Sequence, residues 1–107
     1  MIAAIPMNAL HDGGVTACRL DGVEVLICRV DGRYFAVSNR CSHAEQALHT
    51  GRLRGCELTC PLHGARFDVR DGRCLRGPAT TGIVSFPVTL EGGKVHVAVD
   101  RPRRLAN

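Results

Sequence analysis

Short runs of alternating apolar and polar residues, separated by tight turns, make up most of the chain. The turn signals are Asp-Gly pairs at residues 12–13, 21–22, 31–32 and 71–72, and a Gly-Gly pair at 92–93. Asp-Gly tolerates the positive φ angles that tight hairpins require. The runs between these signals contain many β-branched residues at a spacing of roughly ten residues, which predicts antiparallel strands joined by hairpins.

Three stretches give the clearest strand patterns. Residues 23–30 are apolar on both faces of an extended chain, so they predict a strand that is buried on both sides. Residues 83–90 and 94–99 predict two strands around Gly92-Gly93. No long amphipathic helix is visible, and at most a helical turn is expected near residues 7–10 and another around residues 44–48.

The size of the chain limits its organisation. A length of 107 residues fits one domain with one core, and an apolar content of 45% suffices for a packed interior. The strand spacing favours an all-β sandwich or a small barrel. Residues 39–66 break the hairpin rhythm with a loop-rich segment. Such loops usually have a functional reason, and a metal centre can order loops that have little core of their own.

Charge changes this picture little. The formal net charge is +4 and the isoelectric point is near 9.0. The basic residues are scattered along the chain rather than collected on a helical stripe, so no nucleic-acid partner is expected. One basic cluster, Arg101, Arg103 and Arg104, is interpreted as a solvated tail. The alternative for this cluster is docking against an acidic protein.

The cellular compartment is expected to be the cytoplasm. The N-terminal segment lacks the cationic region of a secretory signal, and no apolar run approaches the ~18 residues of a membrane helix. We therefore expect no membrane contact. In the cytoplasm the six cysteines are metal ligands or free thiols rather than a disulfide framework. Cys18, Cys28, Cys56 and Cys74 are predicted to be buried or half-buried thiols, and His49 to be a residue of a surface loop.

Two short motifs carry the candidate chemistry. They are Cys41-Ser42-His43 and, after a spacer of sixteen residues, Cys60-Pro61-Leu62-His63. Each motif supplies one thiol and one imidazole at a spacing that is too short for both to bind one metal comfortably. Dividing the ligands between two metals relieves this geometry, as in a [2Fe–2S] cluster with two cysteines on one iron and two histidines on the other.

A zinc site remains the alternative for the same four residues. Structural zinc can be held by two cysteines and two histidines. Zinc sites usually place two cysteines together and two histidines together, whereas each motif here mixes the two ligand types. Metal content and colour separate the alternatives, because the iron–sulfur protein is red-brown.

The combined pattern resembles the Rieske family. The two motifs are followed by Gly64-Ala65-Arg66-Phe67-Asp68, by Asp71-Gly72-Arg73 and by Gly77-Pro78-Ala79, which is similar to the Pro loop of that family. The resemblance implies one Rieske domain over residues 1–107, an antiparallel β-sandwich base with a small cluster-binding subdomain inserted at about residues 39–77. It also implies one [2Fe–2S] cluster per chain, with its inner iron on Cys41 and Cys60 and its outer iron on His43 and His63.

Four other positions indicate the subfamily. Rieske proteins of cytochrome bc complexes have a disulfide beside the cluster, where this chain has Gln46 and Leu62. They also have Ser and Tyr hydroxyls that donate to sulfur, where this chain has Ala65 and Phe67. Without these donors the reduced state is less stabilised, so we expect a potential toward the lower end of the Rieske range, about −150 mV. This pattern is similar to the ferredoxins of bacterial ring-hydroxylating dioxygenase systems.

The resemblance implies an electron carrier and not an enzyme. Such ferredoxins pass single electrons from a flavin-dependent NAD(P)H reductase to a terminal aromatic-ring-hydroxylating oxygenase, and the expected state is a monomer. One alternative is the small Rieske subunit of another redox enzyme, of the nitrite or arsenite oxidoreductase type. The other is a zinc-stabilised binding module.

Overall fold

A computed structural model describes residues 1–42, 46–62, 64–77 and 81–104. The described residues form eleven strands and no helix. The strands are β1 (Ile2–Pro6), β2 (Val15–Leu20), β3 (Val23–Val30), β4 (Arg33–Ser38), β5 (Arg52–Arg54), β6 (Glu57–Thr59), β7 (Arg66–Asp68), β8 (Cys74–Arg76), β9 (Ser85–Phe86), β10 (Val88–Glu91) and β11 (Lys94–Val97). The expected all-β class is therefore confirmed for the described residues.

Three antiparallel sheets organise these strands. Their orders are β1-β11-β10, β2-β3-β4-β9 and β5-β6-β7-β8. Two-residue turns join the long strands: Asp21 and Gly22 have φ angles of 51° and 79°, and Asp31 and Gly32 have φ angles of 50° and 75°. Positive φ at both central positions matches the right-handed twist of a hairpin, so the Asp-Gly prediction is confirmed at these turns.

The sheet β2-β3-β4-β9 is the middle layer of the molecule. Successive side chains of β3 point to opposite faces, as extended backbone requires. Leu26, Cys28 and Val30 join one buried cluster, whereas Val25 and Ile27 join another. The prediction of a strand buried on both faces is thus confirmed, because Val25 to Cys28 are fully buried.

The two buried clusters define the two halves of the interior. The base cluster lies between the middle sheet and the sheet β1-β11-β10, and consists of Leu20, Val25, Ile27, Tyr34, Ala36, Phe86, Val95 and Val97. The site cluster lies between the middle sheet and the sheet β5-β6-β7-β8, and consists of Leu26, Cys28, Val30, Val37, Cys41, Leu48, Leu58, Cys60, Ala65, Phe67, Val69 and Ile83.

One predicted strand is wrong. Residues 83–90 do not form a single strand, because β9 pairs with β4 whereas β10 pairs with β11. Pro87 separates them: it has no N–H to donate to a ladder, and its carbonyl accepts the amide of Ala98 at 3.0 Å. The chain therefore changes sheets at this proline.

The expected helical turns are also absent from the described residues. The segment after β1 is closed by a turn in which the Ala9 amide donates to the Pro6 carbonyl at 3.1 Å. Residues 44 and 45 lie outside the described residues, and Ala47 forms a β-bridge with Arg40 instead of a helical turn.

Candidate metal centre

The first ligand-bearing loop begins where β4 ends. The Cys41 amide donates to the Gln46 carbonyl at 3.0 Å, and Arg40 and Ala47 form an isolated β-bridge just outside this bond. These contacts hold Arg40 and Cys41 against Gln46 and Ala47. Cys41 stands at the base of the loop with only 5% of its surface exposed.

Asn39 anchors the same loop and was not singled out from the sequence. It is 6% exposed, and its Oδ1 accepts the amides of Leu48 at 3.1 Å and His49 at 2.9 Å. The backbone N–H of Asn39 donates to the Glu24 carbonyl at 3.1 Å. A buried amide side chain must be hydrogen-bonded to be tolerated. The signal that could have identified Asn39 in the sequence is a polar residue at the end of a predicted strand, immediately before the first motif.

His49 contacts Asn39 and is not one of the four predicted ligands. Its ring Nδ1 lies 3.0 Å from Asn39 Nδ2, an amide nitrogen that can only donate, so Nδ1 is the acceptor. The residue is exposed. The prediction of a surface-loop histidine is confirmed.

The second ligand-bearing loop joins β6 to β7. The Cys60 amide donates to the Ala65 carbonyl at 2.7 Å, and the Gly64 amide donates back to the Cys60 carbonyl at 3.2 Å. Gly64 has a φ angle of +80°, which is strained for residues with a Cβ. This tight turn leaves Cys60 1% exposed beneath the loop.

The two loops bring their cysteines into the same interior. Cys41 and Cys60 both belong to the site cluster. His43 and His63 lie outside the described residues, so the four-ligand set of Cys41, His43, Cys60 and His63 stays a prediction. Within the described ranges no three His, Cys, Asp or Glu residues gather to hold a metal ion. Two buried thiols from two loops fit the thiolate half of a [2Fe–2S] site, and in the sequence a histidine follows each cysteine by two or three residues.

A third segment, residues 81–83, joins the first ligand-bearing loop to the turn between β7 and β8. The Ser42 hydroxyl donates to the Thr81 carbonyl at 2.6 Å, and the Ile83 amide donates to the Gly72 carbonyl at 2.8 Å. A Cβ on Gly72 would stand 2.0 Å from the Ile83 carbonyl oxygen, so only glycine allows this approach. Pro78 and Ala79, which match the Pro loop, lie outside the described residues.

Ala65 and Phe67, which indicate the subfamily, place no hydroxyl near Cys60. Ala65 and Phe67 are fully buried in the site cluster. Ala65 bonds to Cys60 only through its backbone. Leu62, which matches the position of a disulfide cysteine in Rieske proteins of cytochrome bc complexes, is 51% exposed. The surroundings of Cys60 are therefore apolar on these sides.

One buried carboxylate stabilises the turn between β7 and β8. Asp68 is 6% exposed and accepts Arg70 Nε at 3.0 Å and Arg70 Nη2 at 2.7 Å. The side-chain hydrogen bond from Arg70 lowers the pKa of Asp68, because it favours the ionised carboxylate more than burial disfavours it. Asp68 is accordingly a structural carboxylate that stays charged.

The other four cysteines are buried or half-buried, as predicted. Cys28 is buried, and Cys18, Cys56 and Cys74 are half-buried. Burial raises the pKa of Cys28 to about 12, so this thiol stays protonated at neutral pH. Burial also raises the pKa of Cys18.

Comparison with known proteins decides the family. The Rieske [2Fe-2S] domain matches residues 1–87. The chain belongs to the Rieske family. The resemblance seen in the two motifs is confirmed, and so is the [2Fe–2S] cofactor that this family carries.

Two similar proteins are ferredoxins of dioxygenase systems. The ferredoxin component of the naphthalene 1,2-dioxygenase system of Pseudomonas aeruginosa is 36% identical over 90% of this chain and 92% of its own length. The ferredoxin of carbazole 1,9a-dioxygenase from Nocardioides aromaticivorans IC177 superposes with a TM-score of 0.88 at 35% identity, over 91% of this chain and 95% of that one.

A further solved structure contains a ferredoxin together with its partner. It is a complex of reduced oxygenase and oxidised ferredoxin in carbazole 1,9a-dioxygenase, and it matches with a TM-score of 0.86 at 26% identity over 91% of this chain and all of that one. As to membranes, the part of the chain that the structure describes contains no helix that is long and apolar enough to cross a bilayer.

Proposed function

We propose that this Rieske protein is the ferredoxin component of an aromatic-ring-hydroxylating dioxygenase system. It takes single electrons from a flavin-dependent NAD(P)H reductase and delivers them to the terminal oxygenase. The observation that carries the proposal is the burial of Cys41 and Cys60 in one cluster, each at the base of a loop that continues to a histidine. The similarity to dioxygenase ferredoxins over nine-tenths of the chain supports the choice of system.

The two kinds of proposed ligand bind different irons. Cys41 and Cys60 hold the inner iron, and His43 and His63 hold the outer iron. When bound, the cluster accepts and releases one electron. The protein keeps water from the two cysteines, which are 5% and 1% exposed, and fixes their backbones through the bonds to Gln46 and Ala65. Rigid ligands limit the reorganisation that accompanies electron transfer.

The proposed potential is low for a Rieske centre. Hydroxyl donors to sulfur stabilise the more negative reduced state, and Ala65 and Phe67 offer none. A potential near the bottom of the range, about −150 mV, suits a carrier between a flavin and a terminal oxygenase.

The proposal also covers organisation and location. Residues 39–77 are the cluster-binding subdomain, which includes the sheet β5-β6-β7-β8, in a single domain of 107 residues. The protein acts as a monomer in the cytoplasm, where the reductase finds NAD(P)H. It transforms no substrate itself, since the redox chemistry belongs to the cofactor.

A reconstituted electron-transfer chain tests this function. The holoprotein is combined with NADH and with the reductase and the terminal oxygenase of a naphthalene 1,2-dioxygenase system from which the native ferredoxin has been omitted. We expect naphthalene-dependent NADH oxidation that requires this protein, and no such activity for Cys60→Ser. If the red-brown holoprotein is reduced by dithionite but neither accepts electrons from the reductase nor supports the oxygenase, the proposed function is wrong.

A further inference from the structure

Arginines cover the exposed face of the sheet β5-β6-β7-β8. Arg52 pairs with Thr59, Thr59 with Arg66, and Arg66 with Arg76, so these residues form one line across four strands. Cross-strand partners point to the same side of a sheet. Arg54, two residues from Arg52, shares this face. We call Arg52, Arg54, Arg66 and Arg76 the arginine row.

The arginine row has few carboxylates within reach. Among the described residues its one ion pair is Arg66 with Glu57, at 3.9 Å between two half-exposed side chains. By the same alternation Asp68 of β7 lies on this face too, but its carboxylate is paired with Arg70. The four arginines and Glu57 therefore leave an excess of three positive charges here, in a chain whose formal net charge is +4. Arginines elsewhere are matched more closely, as in the pairs of Arg70 with Asp68 at 2.7 Å and of Arg29 with Asp12 at 3.0 Å.

This arrangement costs stability. Like charges directly opposite each other on neighbouring strands are destabilising, and Arg66 faces Arg76 in the register. All four arginines are exposed, so nothing within the described residues relieves the repulsion beyond Glu57. A partner that presents carboxylates would relieve it on binding.

The arginine row leads to the ligand-bearing loop of Cys60. A concavity of about 340 Å³ is lined by Arg52, Arg54, Glu57, Thr59 and Arg66. A second concavity of about 490 Å³ shares Arg52 and Thr59 with it and is lined also by Cys60, Pro61 and Gly64. A molecule seated on the arginine row therefore borders the loop that carries Cys60 and continues to His63.

We propose that the arginine row is the docking surface for an acidic, carboxylate-bearing face of the terminal oxygenase. The inference rests on the proposed function and deepens it. Four strands span about 14 Å at ~4.8 Å each, which is wider than a single inorganic anion and suits a protein surface. The exposed Leu62, 51% accessible in the same loop, supplies the apolar contact that protein interfaces have inside a polar rim.

A nucleic acid fits this face less well. Single-stranded nucleic acids bind where aromatic rings interleave with basic side chains. In the described part of the chain Tyr34, Phe67 and Phe86 are buried and Phe35 is half-buried, and none of these rings belongs to the exposed face of this sheet.

Two charge-reversal variants of the holoprotein test the surface. Arg52→Glu with Arg66→Glu reverses the arginine row, and Arg33→Glu with Arg101→Glu makes the same change in charge at exposed positions elsewhere. The probe of an acidic protein face is fluorescently labelled poly-L-glutamate, followed by anisotropy. Retention of the visible absorption shows that each variant is folded. Arg52→Lys with Arg66→Lys is the conservative variant.

We expect the Kd for poly-L-glutamate to rise about tenfold in the row variant, to change less than about twofold in the matched control, and to stay near wild type in the lysine variant. Equal losses in both charge-reversal variants would overturn the proposal. So would displacement of the probe by inorganic phosphate beyond that by chloride at equal ionic strength. Tighter binding of an oligothymidylate of matched charge would also overturn it, in favour of nucleic acid.

Electron transfer to the terminal oxygenase gives a second readout. In stopped flow at low salt the row variant should lose about tenfold in the second-order rate constant while its limiting rate at saturation is unchanged. A wild type that transfers no electrons while poly-L-glutamate binds the row would refute the proposed function alone. Normal transfer by every variant at low salt would refute the docking surface alone.

Discussion

The two halves of the molecule are built in different ways. The base half, around the base cluster, contains strands of up to eight residues joined by two-residue turns. The site half, around the site cluster, contains four strands of three residues each and two ligand-bearing loops. Such short strands bury little by themselves. The base half can therefore fold on local hairpins, whereas the site half depends on the middle sheet beneath it and on its cofactor.

The site cluster shows this dependence directly. Leu26, Cys28, Val30 and Val37 of the middle sheet form one side of it, while Leu58 and Phe67 form the side of the short strands. Metal centres contribute folding free energy where a loop-rich segment lacks its own core. The comparison predicts that removal of the cofactor unfolds the site half and leaves the base half folded. It also predicts that a substitution in a hairpin turn destabilises only the strands next to that turn.

Removal of the cluster should give the largest effect. With iron chelated, amides of β5, β6 and β7 should lose hydrogen-exchange protection toward that of an unstructured chain, while amides of β3 and β4 stay protected. Exchange measured by NMR on the oxidised holoprotein and the apoprotein checks this. Uniform loss across both halves would show that they are one cooperative unit and would break the comparison.

Gly72→Ala should destabilise the site half by about 3 kcal/mol or more. The new Cβ would stand 2.0 Å from the Ile83 carbonyl oxygen, at a φ angle of +83°. Chemical denaturation of the holoprotein measures the loss. The matched control is Gly32→Ala, where φ is +75° and nothing lies within 4 Å of the added Cβ.

Gly32→Ala should lower the free energy of unfolding by only about 1 kcal/mol, because alanine adopts the left-handed conformation there without a clash. The difference between the two variants isolates the contact between the β7–β8 turn and Ile83. Similar losses in the two variants would mean that this close approach does not matter.

Ala65→Ser and Phe67→Tyr should each raise the midpoint potential. An added hydroxyl that donates to sulfur stabilises the reduced state by roughly 1.5 kcal/mol, or about 60 mV for one electron. Protein-film voltammetry measures the shift. Phe67→Leu adds no donor and is the control. Unchanged potentials in both hydroxyl variants would contradict the explanation for a low potential.

Asp68→Asn should have the smallest effect, a loss of about 1 kcal/mol at pH 7. Because Arg70 lowers the pKa of Asp68, the carboxylate contributes stability above its unfolded pKa of about 3.9, and this contribution disappears as the pH falls through the lower folded pKa. Denaturation at pH 7 and at acid pH measures it. A difference that persists unchanged at acid pH would assign the effect to packing instead.

Sequence reasoning succeeded where a local rule decides the structure. Asp-Gly turns set the hairpins of the middle sheet, and the two-sided apolar run of β3 predicted its burial. Sequence reasoning failed where the pairing partner is distant in the chain. The strands on either side of Pro87 join different sheets, and no local pattern showed which strand each would pair with.

The candidate site was predictable through its motifs more than through its surroundings. Cys41 and Cys60 were chosen from their motifs and from the resemblance to the Rieske family, and both are buried as a thiolate half-site requires. The role of Asn39 depends on amides nine and ten residues away. The arginine row depends on strand register. The sequence marks Asn39 as a polar residue at a strand end, but it shows neither the partners of Asn39 nor the register that aligns the arginines.

The measurement closest to the central claim is the electron paramagnetic resonance spectrum of the dithionite-reduced protein, purified anaerobically, with iron and sulfide determined on the same sample. The account predicts two irons and two sulfides per chain and a Rieske-type signal of one spin, lost in His43→Ala and in His63→Ala. A colourless protein that contains zinc, or a signal that survives both histidine substitutions, would contradict it.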